Sequence, residues 1–229
     1  MKPLLFRNLI PENESFHIQE DILTNFYDFL HYHPEIQLTL ILKGSGTVIV
    51  GDKAVPFDVD DIFLFGPGLP HVFKDQPNLE HPDAGVHAIS VYFKMNSFGE
   101  NFFSLPENFL IKELLENSSR GIKLNGAELK QQIRKGIIGL NVKKGTDLLI
   151  EFFTILNLIS KNKDLELLSS ISFMKTKNES ESKRIEVVFR YVFDNFSREI
   201  SLEEIAELSA MSVTSFCRFF KQRTRKTFT

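Results

Sequence analysis

The run SLEEIAELSAMSVTSFCRFFKQRTRKTFT, Ser201 to Thr229, reads as two short amphipathic helices joined by a tight turn. Ser201 with Glu204 three residues later is a capping box, in which side chains and backbone N–H groups satisfy each other at a helix start. Leu202, Ile205, Ala206 and Leu208 supply the buried stripe of the first helix. Met211 closes the turn and Ser212 caps the second helix, whose Val213, Phe216, Phe219 and Phe220 recur at helical spacing and pack on the first. The opposite face of the second helix presents Thr214, Cys217, Arg218 and Lys221 together.

A helix of this kind fits a DNA major groove. Arg218 can fork two hydrogen bonds to guanine and Thr214 can touch a thymine methyl. Lys221, Arg223, Arg225 and Lys226 can neutralise phosphates. From Ser212 onward the chain has five basic residues and no acidic one, against a whole-chain formal charge of −3. Residues 1–211 therefore carry −8, an asymmetry that suits a localised nucleic-acid surface. Charge alone leaves a second reading open, a solvated basic helix end, because Lys and Arg favour helix C-termini.

The segment IAELSAMSVTSFCRFFKQRTRKTF closely resembles the first helix-turn-helix of the AraC-type (AraC/XylS) family of bacterial transcription regulators. The match rests on Ile205 and Ala206, on Met211-Ser212 at the turn, and on Phe216, Arg218 and Phe219-Phe220-Lys221. The resemblance implies that Thr214, Cys217 and Arg218 face bases of double-stranded DNA. Ala210 stands where Gly is frequent in the turn, so a slightly different turn geometry is expected. Family members continue into a second helix-turn-helix; residues 183–229 are thus expected to be a partial DNA-binding module, the full one being required for binding.

Upstream, residues 16–93 show short strands separated by turns. Ile36, Leu38, Leu40 and Leu42 alternate toward one face. Lys43 to Gly46 turns the chain, and Thr47 to Val50 returns to a Gly51-Asp52 turn as an early hairpin. Further strands fall at Ile62 to Phe65 and Val86 to Phe93. Ser104 with Glu107 is a second capping box, opening a helix to about Asn117; helices over Gly126 to Ile138 and Thr146 to Lys161 follow. The last has Leu149, Phe152, Phe153, Leu156 and Ile159 on an apolar face that either covers the strands or pairs with a second subunit. A polar run, Lys175 to Lys183, reads as a linker before a helix, Arg184 to Phe196, with Ile185, Val188, Phe189, Val192 and Phe193 inward.

The expected fold class is α+β: a cupin-like antiparallel β-barrel over 1–95, a helical, dimerising region over 96–165, a linker over 166–182 and the all-α module. Hydrophobic content of 42% is ordinary for a globular protein, and 23 Phe with no Trp put the aromatic packing on Phe. The single cysteine, Cys217, permits no internal disulfide. Arg7 and Pro11 interrupt any signal-like amino terminus, and the most apolar stretch, Leu148 to Ile159, is short and holds Glu151 and Asn157. A cytoplasmic protein without a membrane span is expected.

His31-Tyr32-His33, Gln37, Gly44 and Pro67-Gly68-Leu69-Pro70-His71 resemble the two signature segments of the cupin fold. In metal-binding cupins that resemblance implies two His and a Glu from the first segment and a His from the second around a divalent ion. Here His31, His33 and His71 fill three slots, and Gln37, a neutral and weaker ligand, stands in the fourth; Glu35 is two residues away. Three readings follow: a metal site, histidines held in structural hydrogen bonds, or polar groups lining an effector pocket formed by His31, His33, Gln37 and His71.

The functional expectation is a sequence-specific DNA-binding regulator, homodimeric, controlled by a small-molecule effector in the barrel, with no cofactor and no metal. The alternative is a metal-dependent cupin oxygenase or isomerase using His31, His33 and His71; the sequence holds no nucleophile–base pair, phosphate loop or carboxylate dyad for another catalytic class.

Overall fold

Alternation along Ile36–Lys43 sets the layers of the amino-terminal part of the chain. The computed structural model describes residues 3–6, 10–11, 13–76, 85–170, 187–188, 191, 195, 198, 200–224 and 227–228, without the side chains of 222–224. It divides into two compact units, Met1–Met174 and Lys175–Thr229. In the first unit the strands are β1 (Leu4–Leu5), β2 (Phe16–Leu23), β3 (His31–Tyr32), β4 (Ile36–Lys43), β5 (Gly46–Val50), β6 (Lys53–Phe57), β7 (Ile62–Phe65), β8 (His71–Asp75), β9 (Val86–Phe93), β10 (Ile122–Leu124) and β11 (Leu165–Leu167). Three helices, α1 (Phe109–Asn117), α2 (Ala127–Leu140) and α3 (Gly145–Ser160), complete it.

The strands form a five-stranded sheet in the order β1-β3-β8-β5-β6 and a six-stranded sheet in the order β11-β10-β7-β4-β9-β2. All pairings are antiparallel except β1 with β3. Ile36, Leu38 and Leu40 project from the six-stranded sheet onto the helices, where they meet Ile111, Leu115, Ile137, Phe152 and Leu156 in one core. The alternate residues project the other way: Ile41, Phe63 and Phe65 pack with Val48, Val50 and Phe73 of the five-stranded sheet. Both faces of β4 are thus dry, and the inward face is the one that carries Gln37 and Thr39. Isoleucine and leucine make up most of the helix-side core, around phenylalanines among which Phe152 stacks on Phe16 at 4.4 Å and meets Phe93 edge-on at 5.0 Å. Gly136 lets α2 approach α3, because a Cβ there would stand 2.9 Å from Ile155 Cγ1. Lys130 and Arg134 of α2 reach back to Asp61 and Asp60 at 2.8 and 2.7 Å.

Five sequence expectations change here. Strands β4 and β5 do not form a hairpin; Lys43 to Gly46 carries the chain from one sheet to the other, and the tight hairpin is β5–β6 around Gly51-Asp52. Ser104 does not cap α1, because Pro106 opens a separate 3-10 turn and the helix starts at Phe109, with Asn108 at its N-cap. Residues 166–169, read as the start of a linker, are held in the first unit: β11 pairs with β10, and Ser169 Oγ donates to Arg120 O at 2.8 Å. Linker residues 175–183 lie outside the described residues, as do Ile185, Phe189, Val192 and Phe193 of the helix expected over 184–196.

In the second unit, α4 (Leu202–Leu208) and α5 (Val213–Thr224) flank the turn. Ser201 Oγ accepts from Glu204 N at 3.1 Å, and Ser212 Oγ accepts from Ser215 N at 3.3 Å, so both caps form. Their core is Val188, Ile205, Ala206, Phe216, Phe219 and Phe220. The fourth expectation to change is Leu208, which is 39% exposed; Ser209, four residues after Ile205 and three after Ala206, takes the inward position instead.

Ala210 holds φ +52°, the left-handed conformation that Gly adopts readily. Met211 N donates to Ala206 O and Ala210 N to Glu207 O, both at 2.9 Å, which is the Schellman pattern. The turn geometry is therefore the one Gly would give, held under strain, and not a different one. Ala210→Gly is expected to stabilise this unit by about 0.5–1 kcal/mol, the relief of left-handed strain less the added freedom of the unfolded chain. Urea denaturation followed by helical circular dichroism checks this, and a lower midpoint would refute it.

Candidate functional site

Two surfaces carry the candidate chemistry, one in each unit. On α5, burial of Phe216, Phe219 and Phe220 in the core fixes the roll of the helix, and with it Thr214, Cys217, Arg218 and Lys221 are all exposed. The structure brings these four to one side. The side chain of Arg223, and all of Arg225 and Lys226, lie outside the described residues. At the start of α4, Glu204 accepts from the Arg198 guanidinium and from the Tyr191 hydroxyl, a three-residue clamp that sequence reading missed. Arg198, with help from Tyr191 and the Ser201 N–H, holds the Glu204 carboxyl down to about 2. The terminal nitrogens of Arg198 donate within that clamp, and its Nε–H donates to Asn195 Oδ1 at 3.3 Å.

In the first unit, β3 and β8 pair His31 directly with His71. His33 and His71 are each 1% exposed and Gln37 is 5% exposed, whereas His31 is half-buried. Each ring turns its Nδ1 to a backbone carbonyl: His31 to Phe29 O at 2.9 Å, His33 to Glu35 O at 3.0 Å and His71 to Leu69 O at 2.8 Å. A carbonyl only accepts, so all three Nδ1 atoms carry the proton. The Nε2 atoms of His33 and His71 both lie 2.9 Å from the end of the Gln37 carboxamide. The amide's other terminal atom lies 2.7 Å from Thr39 Oγ1 and 3.4 Å from Ser90 Oγ, and those hydroxyls are 2.9 Å apart. Burial pushes all three imidazoles below their ordinary value, His71 furthest, with its two histidine neighbours adding to the effect.

The three histidines are the group of His, Cys, Asp and Glu side chains among the described residues whose ligand atoms converge, within 4.8 Å of one another. Glu35 does not join them. Its carboxylate lies at the Nδ1 edge of His33, Oε2 at 3.8 Å and without a hydrogen-bond partner among the described residues, and its Oε1 is 3.6 Å from Lys94 Nζ. The half-buried His31 ring lies 4.6 Å from that of His71 and among aromatic rings, 5.6 Å from Phe6 and 5.7 Å from Tyr27, with Phe29 next to Tyr27. Thr39 and Ser90 escaped sequence reading. Thr39, two residues past Gln37 on the same strand face, was legible in principle, but Ser90 enters only through the β4–β9 register that pairs it with Thr39.

Residues 27–76 match the cupin domain family. The chain is 25% identical over 210 residues to the uncharacterized HTH-type transcriptional regulator YdeC of Bacillus subtilis, covering 89% of this chain and 68% of the relative. Among solved structures it is similar to ToxT from Vibrio cholerae, with 12% identity, a TM-score of 0.42, 94% of this chain covered and 97% of that one. A shorter similarity, to the oxalate decarboxylase OxdC of Bacillus subtilis, has 20% identity and a TM-score of 0.30, covering 37% of this chain and 22% of that one.

Proposed function

We propose that this chain, an AraC-like regulator with a cupin domain, reads DNA through α5 and a small-molecule effector through the histidine-bearing mouth of the cupin domain. The observation that carries the DNA reading is the division of α5: three phenylalanines inward, and Thr214, Cys217, Arg218 and Lys221 outward. Arg218 and Thr214 read base edges with Cys217 beside them, while Lys221, with Arg223, Arg225 and Lys226, holds phosphates. The working partner is double-stranded DNA bound by the full module, in the cytoplasm. Among the described residues no helix is long and apolar enough to cross a membrane. Dimerisation is assigned to the helical region, where α3 leaves Ile150 59% exposed.

In the cupin domain, His33, Gln37 and His71 form a buried floor whose polar atoms already face one another. His31 is the direct effector contact. Its Nδ1 is spent on Phe29 O, and its Nε2 has no partner among the described residues, so it offers one lone pair to a donor group on a ligand whose apolar body rests on Phe6 and Tyr27. Regulation then requires only that the effector bind two arrangements of the protein with different free energies.

Fluorescence anisotropy tests the DNA reading, in a chain carrying the complete DNA-binding module, on its own promoter region and on a random duplex across a salt series. Arg218→Ala is expected to lose about 1–3 kcal/mol of discrimination between the duplexes. Lys221→Ala is expected to weaken both evenly and to reduce the salt slope by about one ion. Equal losses on both duplexes for Arg218→Ala would remove its base-reading role. A metal-dependent cupin enzyme using His31, His33 and His71 is the competing reading, favoured by the convergence of the three rings.

A further inference from the structure

The cupin fold implies a divalent ion where His31, His33 and His71 converge, and hydrogen-bond accounting tests whether these residues suit one. His33 and His71 have already committed their Nδ1 protons to backbone carbonyls. If the Gln37 oxygen faced their Nε2 atoms, both rings would also need an Nε2 proton. That makes two imidazolium cations with ring centroids 5.1 Å apart, each 1% exposed, with no carboxylate at that edge. The oxygen and nitrogen of a carboxamide are nearly isosteric, and their partners tell them apart. With the NH2 group toward the histidines, its two protons meet the two Nε2 lone pairs, and the oxygen accepts from the Thr39 hydroxyl at 2.7 Å. Ser90 then donates to Thr39 Oγ1 at 2.9 Å, and each polar atom of the chain finds its complement with every group neutral.

We infer that the Gln37 carboxamide takes the place of the metal ion in this cupin domain, its two N–H groups occupying the Nε2 lone pairs of neutral His33 and His71. A divalent cation does not fit while that network stands: it would need the Nε2 lone pairs of His33 and His71 that the amide already occupies, it would break both hydrogen bonds, and no carboxylate among the described residues converges there to offset its charge. The nearest carboxylate, Glu35, lies on the opposite edge of the His33 ring. Gln37 is thus a substitution with a structural role, converting a metal centre into a rigid polar floor. The inference stands independently of DNA binding and of the effector.

The decisive measurement is long-range 1H–15N correlation of the histidine side chains in the wild-type chain, with equilibrium dialysis against Zn2+, Mn2+ and Ni2+ and metal quantification. Expected are Nδ1-protonated tautomers for His33 and His71, acceptor-type Nε2 shifts, and no stoichiometric metal retained. Gln37→Glu, which supplies the missing charge and removes the two donors, is expected to gain metal affinity by tenfold or more. Protons on both nitrogens of these rings, Nε2 shifts displaced by metal, or one tightly held equivalent of metal in wild type would overturn the inference. So would a folded Gln37→Glu that gains no affinity; if that variant does not fold, the wild-type spectrum decides.

Discussion

Phe216→Ala is expected to abolish the fold of the helix-turn-helix unit. Phe216 is fully buried, with ring centroids 5.6 Å from Phe220 and 5.4 Å from Phe228. Truncating a buried phenylalanine costs about 3–5 kcal/mol, and a unit of this length has a total stability of roughly 3–8 kcal/mol. The amide resonances of residues 200–224 should collapse into the unfolded range, and binding to specific and random duplexes should fall together. That pattern separates it from Arg218→Ala, whose exposed side chain lies on the other face and whose loss should leave the resonances dispersed. Retained dispersion in Phe216→Ala would mean that the small core does not depend on this ring.

Gln37→Leu is the second large effect. Leucine fills much of the space but leaves His33 Nε2, His71 Nε2 and the Thr39 hydroxyl without their common partner in a buried site. Buried groups left unpaired cost about 1–3 kcal/mol each, so a loss of roughly 3 kcal/mol or more is expected. For a unit of this size that lowers the melting midpoint by roughly 6–12 °C. Differential scanning calorimetry reads it, and an unchanged midpoint would show that the amide makes no net contribution. Thr39→Val removes one hydroxyl from the far end of the same network and should cost a fraction of that amount.

The two candidate sites differ in how far sequence reading reached. On α5 the positions of Phe216, Phe219 and Phe220 determine which residues face out, because a helix of known period leaves its side chains no other arrangement. That reading located Thr214, Cys217, Arg218 and Lys221, and the same spacing rule, applied strictly, would have placed Ser209 inward in place of Leu208. The histidine cluster was legible only as a motif. Resemblance to the cupin signature segments put His31, His33, Gln37 and His71 in one neighbourhood but did not say which were buried, which nitrogen each ring had free, or that Thr39 and Ser90 stood behind the amide. The Arg198–Glu204–Tyr191 clamp was invisible for a related reason, since the capping-box reading of Glu204 accounts for it completely on local grounds.

Taken alone, the residues determined what is local and periodic. They set the strand and helix segments, the two caps of the helix-turn-helix, the outward cationic face of α5 and the grouping of the histidines by motif. Tertiary structure decided whatever depends on which face meets which partner. It sent Ile36, Leu38 and Leu40 to the helices and Gln37 inward, split β4 and β5 between two sheets, and folded β11 onto β10 at the start of the span expected to be a linker. The physical reason is range. A cap or an amphipathic period is settled within a few residues of chain, whereas the partner of a buried amide lies 34 residues away on another strand, and only the sheet register brings the two to 2.9 Å.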